Sequence, residues 1–228
     1  MQVVSLNDFL MNQTYIPVFV INLESRRDRK EHILQQFHQK GEFDVHVVDA
    51  CEHNNGAIGL WNSIAHILQN LVKMESDYIL LCEDDHQFTD KYSKEHLFEC
   101  IAEAKEKEAD ILSGGISWFK DGIQISRDLF WVEKFTGLQF TIIFKKFFDK
   151  ILQANFSETD VADFKISSLS ENKLLIYPFI STQKEFGYSD VTIKNNQTER
   201  VERIFDESAK RLQLLSNVAS FYKTSQKE

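Results

Sequence analysis

The sequence predicts an α/β fold in which a mostly parallel central sheet carries helices on both faces. Along residues 17–86, short apolar runs alternate with helical patterns in the order strand, helix, strand, helix, strand. Polar residues stand at or just after the end of each predicted strand: Asn22, then Asp49, then Glu83 to Asp85. The carboxyl ends of parallel strands meet at one edge of a sheet. Because right-handed crossovers connect parallel strands, we expect the helices to cover both faces.

The first half of the chain supplies the core of this sheet. The predicted strands are Pro17–Leu23, Phe43–Val48 and Tyr78–Cys82. A helix is expected between the first two strands at Glu24–Gln39, and apolar residues at helical spacing from Leu60 to Leu71 predict a second helix.

The second half is predicted to add further strands and a long carboxyl-terminal helix. An aromatic-rich region follows the fourth strand, and its weak periodicity predicts no regular element. The expected elements are a helix at His96–Glu108, strands at Asp110–Ser113, Gln139–Phe144 and Leu174–Tyr177, helices at Lys145–Gln153 and Phe164–Leu169, and an amphipathic helix from Thr198 to Tyr222.

Composition narrows the class of protein. The 228 residues suffice for one large domain, and a net charge of -9 argues against nucleic acid as a partner. The 3 cysteines have no metal-ligand spacing, and their odd number favours reduced thiols in the cytoplasm. No signal peptide is visible, and no apolar run approaches the roughly 18 residues of a membrane span.

Three consecutive acids, Glu83, Asp84 and Asp85, follow the third predicted strand. Adjacent carboxylates repel one another, and burying them is costly unless a positive charge neutralises them. Oxygen ligands of this kind suit Mg²⁺ or Mn²⁺, particularly when a substrate phosphate completes the coordination shell. In an extended chain Glu83 and Asp85 project to one side and Asp84 to the other, so Glu83 and Asp85 are expected to share a cation and a ribose. The alternative interpretation is a solvated acidic turn.

The predicted first helix opens with three arginines, at positions 26, 27 and 29. The amino-terminal end of a helix favours anions, and one arginine side chain can donate two parallel hydrogen bonds to a phosphate group. We therefore expect Arg26 or Arg29 to bind a diphosphate. The alternative is a solvated helix face with internal pairs such as Asp28 with His32. The sequence has no glycine-rich phosphate loop, which argues against the dinucleotide-binding and P-loop classes.

The loop after the second strand offers further candidates for ligand binding. Asp49 ends that strand and is suited either to accept a hydrogen bond from a base or ribose or to cap a turn. Gly56 and Gly59 permit close approach of the backbone to a ligand. Ser63 and His66 lie on the following helix, where packing or solvent exposure is the expected role of the histidine.

The ordered set of these residues resembles glycosyltransferase family 25, the lipopolysaccharide-type glycosyltransferases. The elements that match are Ile21-Asn22-Leu23 with Arg26 and Arg29, then Asp49, then Gly56-Ala57-Ile58-Gly59 with Ser63, then Glu83-Asp84-Asp85. A looser match near the end of the chain comprises Asp160 or Asp163, Pro178, Gln183 and Ser189. The chain departs from the family at Ile64, where the family often has histidine.

The resemblance implies a single GT-A-type domain that binds a nucleotide-sugar donor, with UDP-galactose as an example. It implies inverting, metal-dependent sugar transfer to a saccharide or lipid-linked acceptor during cell-surface polysaccharide biosynthesis. Residues 15–115 would bind the donor, 116–195 the acceptor, and 196–228 would form the terminal helix. The implied donor-binding residues are Asn22, Leu23, Arg26, Arg29, Asp49, Gly59, Ser63, Glu83 and Asp84, and the implied ligands of Mn²⁺ or Mg²⁺ are Glu83 and Asp85.

An acceptor hydroxyl needs a carboxylate base within hydrogen-bond reach, because its own pKa lies far above neutral. Asp160 and Asp163 are the candidates, and their spacing would place them on one side of a helix. Asp160 alternatively caps that helix, and Asp190 is a third option, although a turn role suits it better. Trp118, Phe130 and Trp131 are suited to stack on an acceptor sugar or to pack in the core.

The terminal helix carries both basic and acidic residues. Its arginines and lysines would allow at most peripheral contact with the inner face of a membrane, whereas the interleaved acids favour packing on the domain. Two other functions remain open at this point. One is a nucleotidyltransferase or phosphoesterase that uses the same acids with two metals about 3.5–4 Å apart. The other is a sugar-binding protein without catalytic activity.

Overall fold

A mixed eight-stranded sheet forms the centre of the molecule. The computed structural model describes residues 15–187 and 199–225. The strands are β1 (Ile16–Asn22), β2 (Phe43–Asp49), β3 (Tyr78–Glu83), β4 (His86–Phe88), β5 (Ile111–Ser113), β6 (Trp118–Phe119), β7 (Gly122–Gln124), β8 (Leu129–Val132), β9 (Phe135–Thr136), β10 (Phe140–Phe144), β11 (Lys173–Ile176) and β12 (Ser181–Gln183). The helices are α1 (Arg27–Phe37), α2 (Gly56–His66), α3 (Lys94–Glu106), α4 (Phe148–Leu152), α5 (Ala162–Leu169) and α6 (Arg200–Ser225).

The order of the central strands is β2-β1-β3-β10-β5-β11-β8-β7. Six of these eight strands run in the same direction, and β10 and β8 run against them. The predicted α/β class and the parallel arrangement of β1, β2 and β3 are therefore confirmed. The remaining strands form two short antiparallel ribbons, β12 with β4 and β6 with β9.

Apolar side chains cover both faces of the sheet. On one face, alternate residues of β1 and β3 such as Ile21 and Leu81 join a core cluster with residues of α2, α5 and α6. On the other face, Val20 and Leu80 join a second cluster with residues of α1 and α3. Each fully buried Leu, Ile, Val or Phe contributes about 1.5–3 kcal/mol. The prediction of helices on both faces is confirmed.

Local hydrogen bonds explain where the observed helices differ from the predicted ones. α1 begins at Arg27 rather than Glu24, because the backbone N–H of Arg26 closes a turn onto the carbonyl of Leu23 at 2.8 Å. α3 begins at Lys94 rather than His96, because the side chain of Ser93 caps it. The aromatic-rich region forms β6 to β9, whose lengths of 2 to 4 residues are too short to show a period.

The amphipathic carboxyl-terminal helix packs on the domain, as the interleaved charges favoured. Val201, Phe205 and Leu212 of α6 are buried in the first core cluster. Arg211 donates hydrogen bonds to the carbonyls of Phe119 at 2.7 Å and Lys120 at 2.9 Å. In the part of the chain that the structure describes, no helix combines the length and the apolar character needed to cross a membrane.

A close backbone crossing connects β5 to the segment that enters β12. The amides of Ile180 and Ser181 both donate to the carbonyl of Gly114, at 2.9 and 3.1 Å. A Cβ atom on Gly115 would lie 2.0 Å from the carbonyl oxygen of Ser181. The chain can cross here only because residue 115 has no side chain.

We therefore expect Gly115→Ala to lower the free energy of unfolding by about 3 kcal/mol, since a methyl group there must displace backbone rather than a mobile side chain. Gly41→Ala is the matched control, because a Cβ atom at Gly41 meets nothing within 4 Å. Urea denaturation followed by circular dichroism measures both variants. Equal stability of the two variants would contradict this account of the crossing.

Candidate active site

A cleft of about 1380 Å³ opens at the carboxyl ends of β1 and β3. One wall comes from the β1–α1 connection, the loop before α2 and the acidic turn after β3. The rest of the lining comes from β6, the residues after β9, α5 and the first half of α6. The cleft therefore lies where ligands bind in open α/β sheets.

The three acids all line this cleft. Glu83 is the last residue of β3, and Asp84 and Asp85 form the turn into β4. The Nη1 atom of Arg29 lies 2.9 Å from Asp84 Oδ1 and 3.3 Å from Asp85 Oδ2. The expectation that Asp84 projects away from the other two acids is wrong, because the chain turns after Glu83 and the alternation of an extended strand ends there.

Asp84 is held from two sides. In addition to Arg29, Nδ2 of Asn22 donates to Asp84 Oδ2 at 2.8 Å. Asn22 is 1% exposed and does not line the cleft, so it supports the acidic turn from behind. Both carboxylate oxygens of Asp84 are thus engaged by protein groups.

Glu83 and Asp85 carry less compensation for their charge. Burial raises the pKa of Glu83 well above its ordinary value, and the charges of Asp85, Asp163 and Asp84 raise it further. Burial also raises the pKa of Asp85 to about 6, although Arg29 opposes that shift. A cation bound beside these two carboxylates would therefore favour their ionised forms.

The two arginines proposed for the diphosphate occupy different environments. Arg29 is buried, pairs with the acids and lies 4.8 Å from the centre of the Phe186 ring. Arg26 precedes α1, is partly exposed and lines the cleft, where a phosphate can approach it. The alternative of a solvated helix face does not hold for Arg29, nor for His32, which is buried.

A buried histidine, His86, directly follows the acidic turn and is held by hydrogen bonds. His86 is fully buried, and its Nδ1 lies 2.8 Å from Ser181 Oγ, joining β4 to β12. His32 Nε2 donates to the His86 carbonyl at 2.9 Å. Burial lowers the pKa of His86 to about 3, and the neighbouring His32 and Lys40 act in the same direction, so His86 is neutral at pH 7.

The loop before α2 also lines the cleft. Ser63 is fully buried; its Oγ accepts from the Cys51 amide at 2.8 Å and donates to the Gly59 carbonyl at 2.8 Å. A Cβ atom on Gly59 would lie 2.6 Å from the Cys51 carbonyl oxygen. Ser63 thus shapes the loop without lining the cleft, whereas Gly59 and Leu23 do line it.

Asp49 lies outside the cleft. It is exposed at the end of β2, in register with Asn22, and is not among the lining residues. The structure brings the neighbouring Ala50 and Cys51 to the cleft instead.

The two candidate bases differ in position. Asp160 precedes α5, accepts hydrogen bonds from Ser157 and Lys165, and does not line the cleft. Asp163 lies in the first turn of α5, lines the cleft and accepts from the amides of Gly137 at 3.1 Å and Phe164 at 2.8 Å. The two aspartates would share one helical side only if both were helical, and that condition is not met because this helix begins at Ala162. Burial raises the pKa of Asp163.

The looser carboxyl-terminal part of the motif set has one member beside the acids. Gln183 Nε2 lies 3.4 Å from Asp85 Oδ1, and the amide of Lys184 donates to the Asp85 carbonyl at 2.7 Å. Gln183 also lines the cleft. Ser189 and Asp190 lie outside the described residues.

Residues of α6 that sequence analysis did not assign to the site also line the cleft. They are Arg200, Ile204, Glu207, Ser208 and Arg211. The amphipathic pattern predicted a packed helix, but it gave no signal for which part of the domain that helix covers.

The acidic turn fits a hard divalent cation. Within residues 15–187 and 199–225, no group of three or more His, Cys, Asp or Glu side chains is arranged to hold a metal. Mg²⁺ and Mn²⁺ often bind through one or two carboxylates and take their other ligands from substrate phosphates and water. The undercompensated pair of Glu83 and Asp85 matches that pattern.

Comparison with known proteins supports the resemblance over the amino-terminal part of the chain. Residues 15–65 match the model of glycosyltransferase family 25 (LPS biosynthesis protein). These residues form β1, α1, β2 and most of α2, and the connections between these elements contribute part of one wall of the cleft. No curated protein sequence matches the chain significantly.

Among solved structures, the crystal structure of A197 from STIV superposes with a TM-score of 0.51 at 15% identity, covering 75% of this chain and 85% of that one. This similarity shows the fold. UDP-glucose pyrophosphorylase complexed with UDP-glucose covers 86% of this chain and 81% of that one, at 6% identity and a TM-score of 0.48. A similarity that low carries no conclusion about ligand or activity.

The pairing of Arg29 with two carboxylates predicts a large effect of its removal. Arg29→Ala leaves Asp84 and Asp85 without this neutralising group and should lower the free energy of unfolding by about 3 kcal/mol at pH 8. The loss should be smaller at pH 5, because protonation of Asp85, whose pKa burial raises to about 6, then relieves the repulsion between the two carboxylates.

Arg27→Ala is the matched control, since Arg27 is exposed and does not line the cleft. Urea denaturation at the two pH values measures both proteins. If Arg29→Ala and Arg27→Ala lower the free energy of unfolding equally, the ion pairs of Arg29 do not stabilise the fold.

Proposed function

We propose that this chain is a glycosyltransferase that moves a sugar from a nucleotide-sugar donor to a saccharide or glycolipid acceptor in cell-surface polysaccharide biosynthesis. The observation that carries the proposal is the meeting of Glu83, Asp85 and Asp163 in one cleft. The match of residues 15–65 to family 25 supports sugar transfer, and hence a transferase. A UDP-sugar, such as UDP-galactose, is the proposed donor.

The proposed donor site lies along the wall built from the matched segment. Leu23 and the loop around Gly59 would contact the nucleoside, and Arg26 would bind the diphosphate. Glu83 and Asp85 would hold Mn²⁺ or Mg²⁺ beside it. The bound cation would neutralise the negative charge that the nucleoside diphosphate gains as it leaves.

Asp84, Asn22 and Arg29 have a supporting role in this proposal. Asn22 and Arg29 engage both oxygens of Asp84, which anchors the turn between Glu83 and Asp85. The two remaining carboxylates are then fixed before the donor arrives, and little ordering is needed on binding.

Asp163 is the proposed base. Its carboxylate is oriented by two backbone amides and lies partly buried in the cleft. The raised pKa of Asp163 makes it a stronger base once ionised. It would accept the acceptor's hydroxyl proton as that oxygen attacks the anomeric carbon opposite the departing diphosphate. The new C–O bond forms as the bond to the diphosphate breaks, which inverts the anomeric centre.

The alternative functions receive less support. A nucleotidyltransferase or phosphoesterase would use two metals about 3.5–4 Å apart, whereas the proposed transferase needs only one cation on Glu83 and Asp85. A sugar-binding protein without activity gives no reason for a carboxyl oriented by two amides in the same cleft.

The base assignment predicts different outcomes for the two aspartates. Asp163→Asn should lower kcat by about 10²–10⁴-fold, because proton removal by a positioned carboxylate is lost. UDP binding should be unchanged, since Asp163 faces the acceptor side in this proposal. Asp160→Asn is the control and should stay within about twofold of the wild type, as Asp160 lies outside the cleft.

The assay follows UDP release from a panel of UDP-sugars with Mn²⁺ and simple saccharide acceptors. Loss of activity in Asp160→Asn with full activity in Asp163→Asn would refute the assignment. Wild-type protein that releases no UDP from any donor would count against transferase activity itself.

The cation assignment predicts metal-dependent nucleotide binding. UDP should bind more tightly with Mn²⁺ than without it, and Glu83→Gln or Asp85→Asn should reduce that gain at least about tenfold. Neither variant should unfold, because burial already favours the neutral form of each side chain.

Asp90→Asn is the control, because Asp90 is exposed and does not line the cleft. Isothermal titration with UDP, with and without Mn²⁺, measures the effect. Metal-independent UDP binding in all proteins would contradict the proposed role of the two carboxylates.

A further inference from the structure

Three apolar side chains line the cleft although much of each is exposed. Trp118 of β6, Phe164 of α5 and Val161 before α5 are each 42% exposed, and we call them the aromatic wall. The rings of Trp118 and Phe164 meet edge to face, with centroids 5.9 Å apart. Exposed aromatic rings that line a polar cleft are typical of binding surfaces.

The structure separates the three aromatic residues that sequence analysis considered for sugar stacking. Phe130 is fully buried in the core. Trp131 pairs through β8 with β11, and its indole N–H donates to the Glu171 carbonyl at 2.7 Å. Neither lines the cleft, whereas Trp118 does.

The backbone on both sides of Trp118 is held by α6. Ser208 Oγ donates to the Ser117 carbonyl at 2.8 Å, and Arg211 donates to the Phe119 carbonyl at 2.7 Å. The Arg211 guanidinium also lies 4.1 Å from the centre of the Phe119 ring. The indole is therefore presented to the cleft by a fixed backbone, which lowers the ordering cost of binding a ligand on it.

The aromatic wall and Asp163 share the same supporting elements. Trp118 pairs with Thr136 across the β6–β9 ribbon, and the next residue, Gly137, donates its amide to Asp163. Phe164 follows Asp163 directly and donates its own amide to the same carboxylate. A molecule resting on the wall would lie beside this carboxylate.

We propose that the aromatic wall is the acceptor subsite and that it stacks on the apolar C–H face of a pyranose ring. This inference rests on the proposed function. The exposed indole of Trp118 offers a flat face to a sugar ring, and Asp163 and Glu207 in the same cleft can accept hydrogen bonds from sugar hydroxyls. An acyl chain would bring these carboxylates no hydrogen-bond partner and would add to the cost of burying them.

The test uses methyl β-D-galactopyranoside and methyl β-D-glucopyranoside as probes, with UDP and Mn²⁺ present. Ligand-observed NMR measures glycoside binding, and isothermal titration measures UDP binding in the same proteins. Trp118→Ala should weaken binding of at least one glycoside about tenfold, and Phe164→Ala should weaken it less. Trp118→Phe should restore most of the affinity, because it restores a flat ring. UDP affinity should not change.

Trp131→Phe is the matched control, and it should bind both probes like the wild type. The inference is overturned if Trp118→Ala binds the glycosides normally, or if wild-type protein binds UDP but neither glycoside. It is also overturned if octyl glucoside binds and methyl glucoside does not, since the wall would then bind the alkyl chain, as it would the hydrocarbon part of a lipid. Failure of the wild type to bind UDP with Mn²⁺ would instead remove the proposed function.

Discussion

The site depends on the buried contact between the Arg29 guanidinium and the carboxylate of Asp84. This contact ties the first helix to the end of β3 across 55 residues of sequence. Asn22, at the end of the neighbouring strand, holds the other oxygen of the same carboxylate. Residues from β1 and α1 therefore fix the position of the acidic turn that follows β3.

The three adjacent acids have different environments. Asn22 and Arg29 bind both oxygens of Asp84, which holds the turn in place. Glu83 and Asp85 instead have raised pKa values, so their ionised forms are costly until a positive charge binds beside them. This cost favours ligand capture, because a cation or a cationic complex relieves it on binding. His86 is neutral at pH 7, so it does not offset the negative charge of these carboxylates.

Much of this fold could be predicted from the sequence, because the first three strands and their helices follow strong apolar patterns. The place of β10 could not be predicted. Its five residues are all buried, so it has the same apolar pattern as a parallel strand, and pattern carries no information on direction or neighbours. The acids, Arg29 and Asp163 are predicted from the sequence as candidate site residues, and all of them line the cleft. The turn at Asp84, the exposure of Asp49 and the position of Asp160 depend instead on where the chain bends. The contribution of α6 depends on tertiary packing alone.

The position of β10 also has a consequence during synthesis. β3 lies between β1 and β10, so one of its two edges stays unpaired until residues 140–144 have left the ribosome. The segment that matches family 25 thus emerges as part of an incomplete sheet with an open hydrogen-bonding edge, a state that is prone to pairing with other chains. Completion of the sheet on this side of β3 is therefore a late event that depends on a long-range contact.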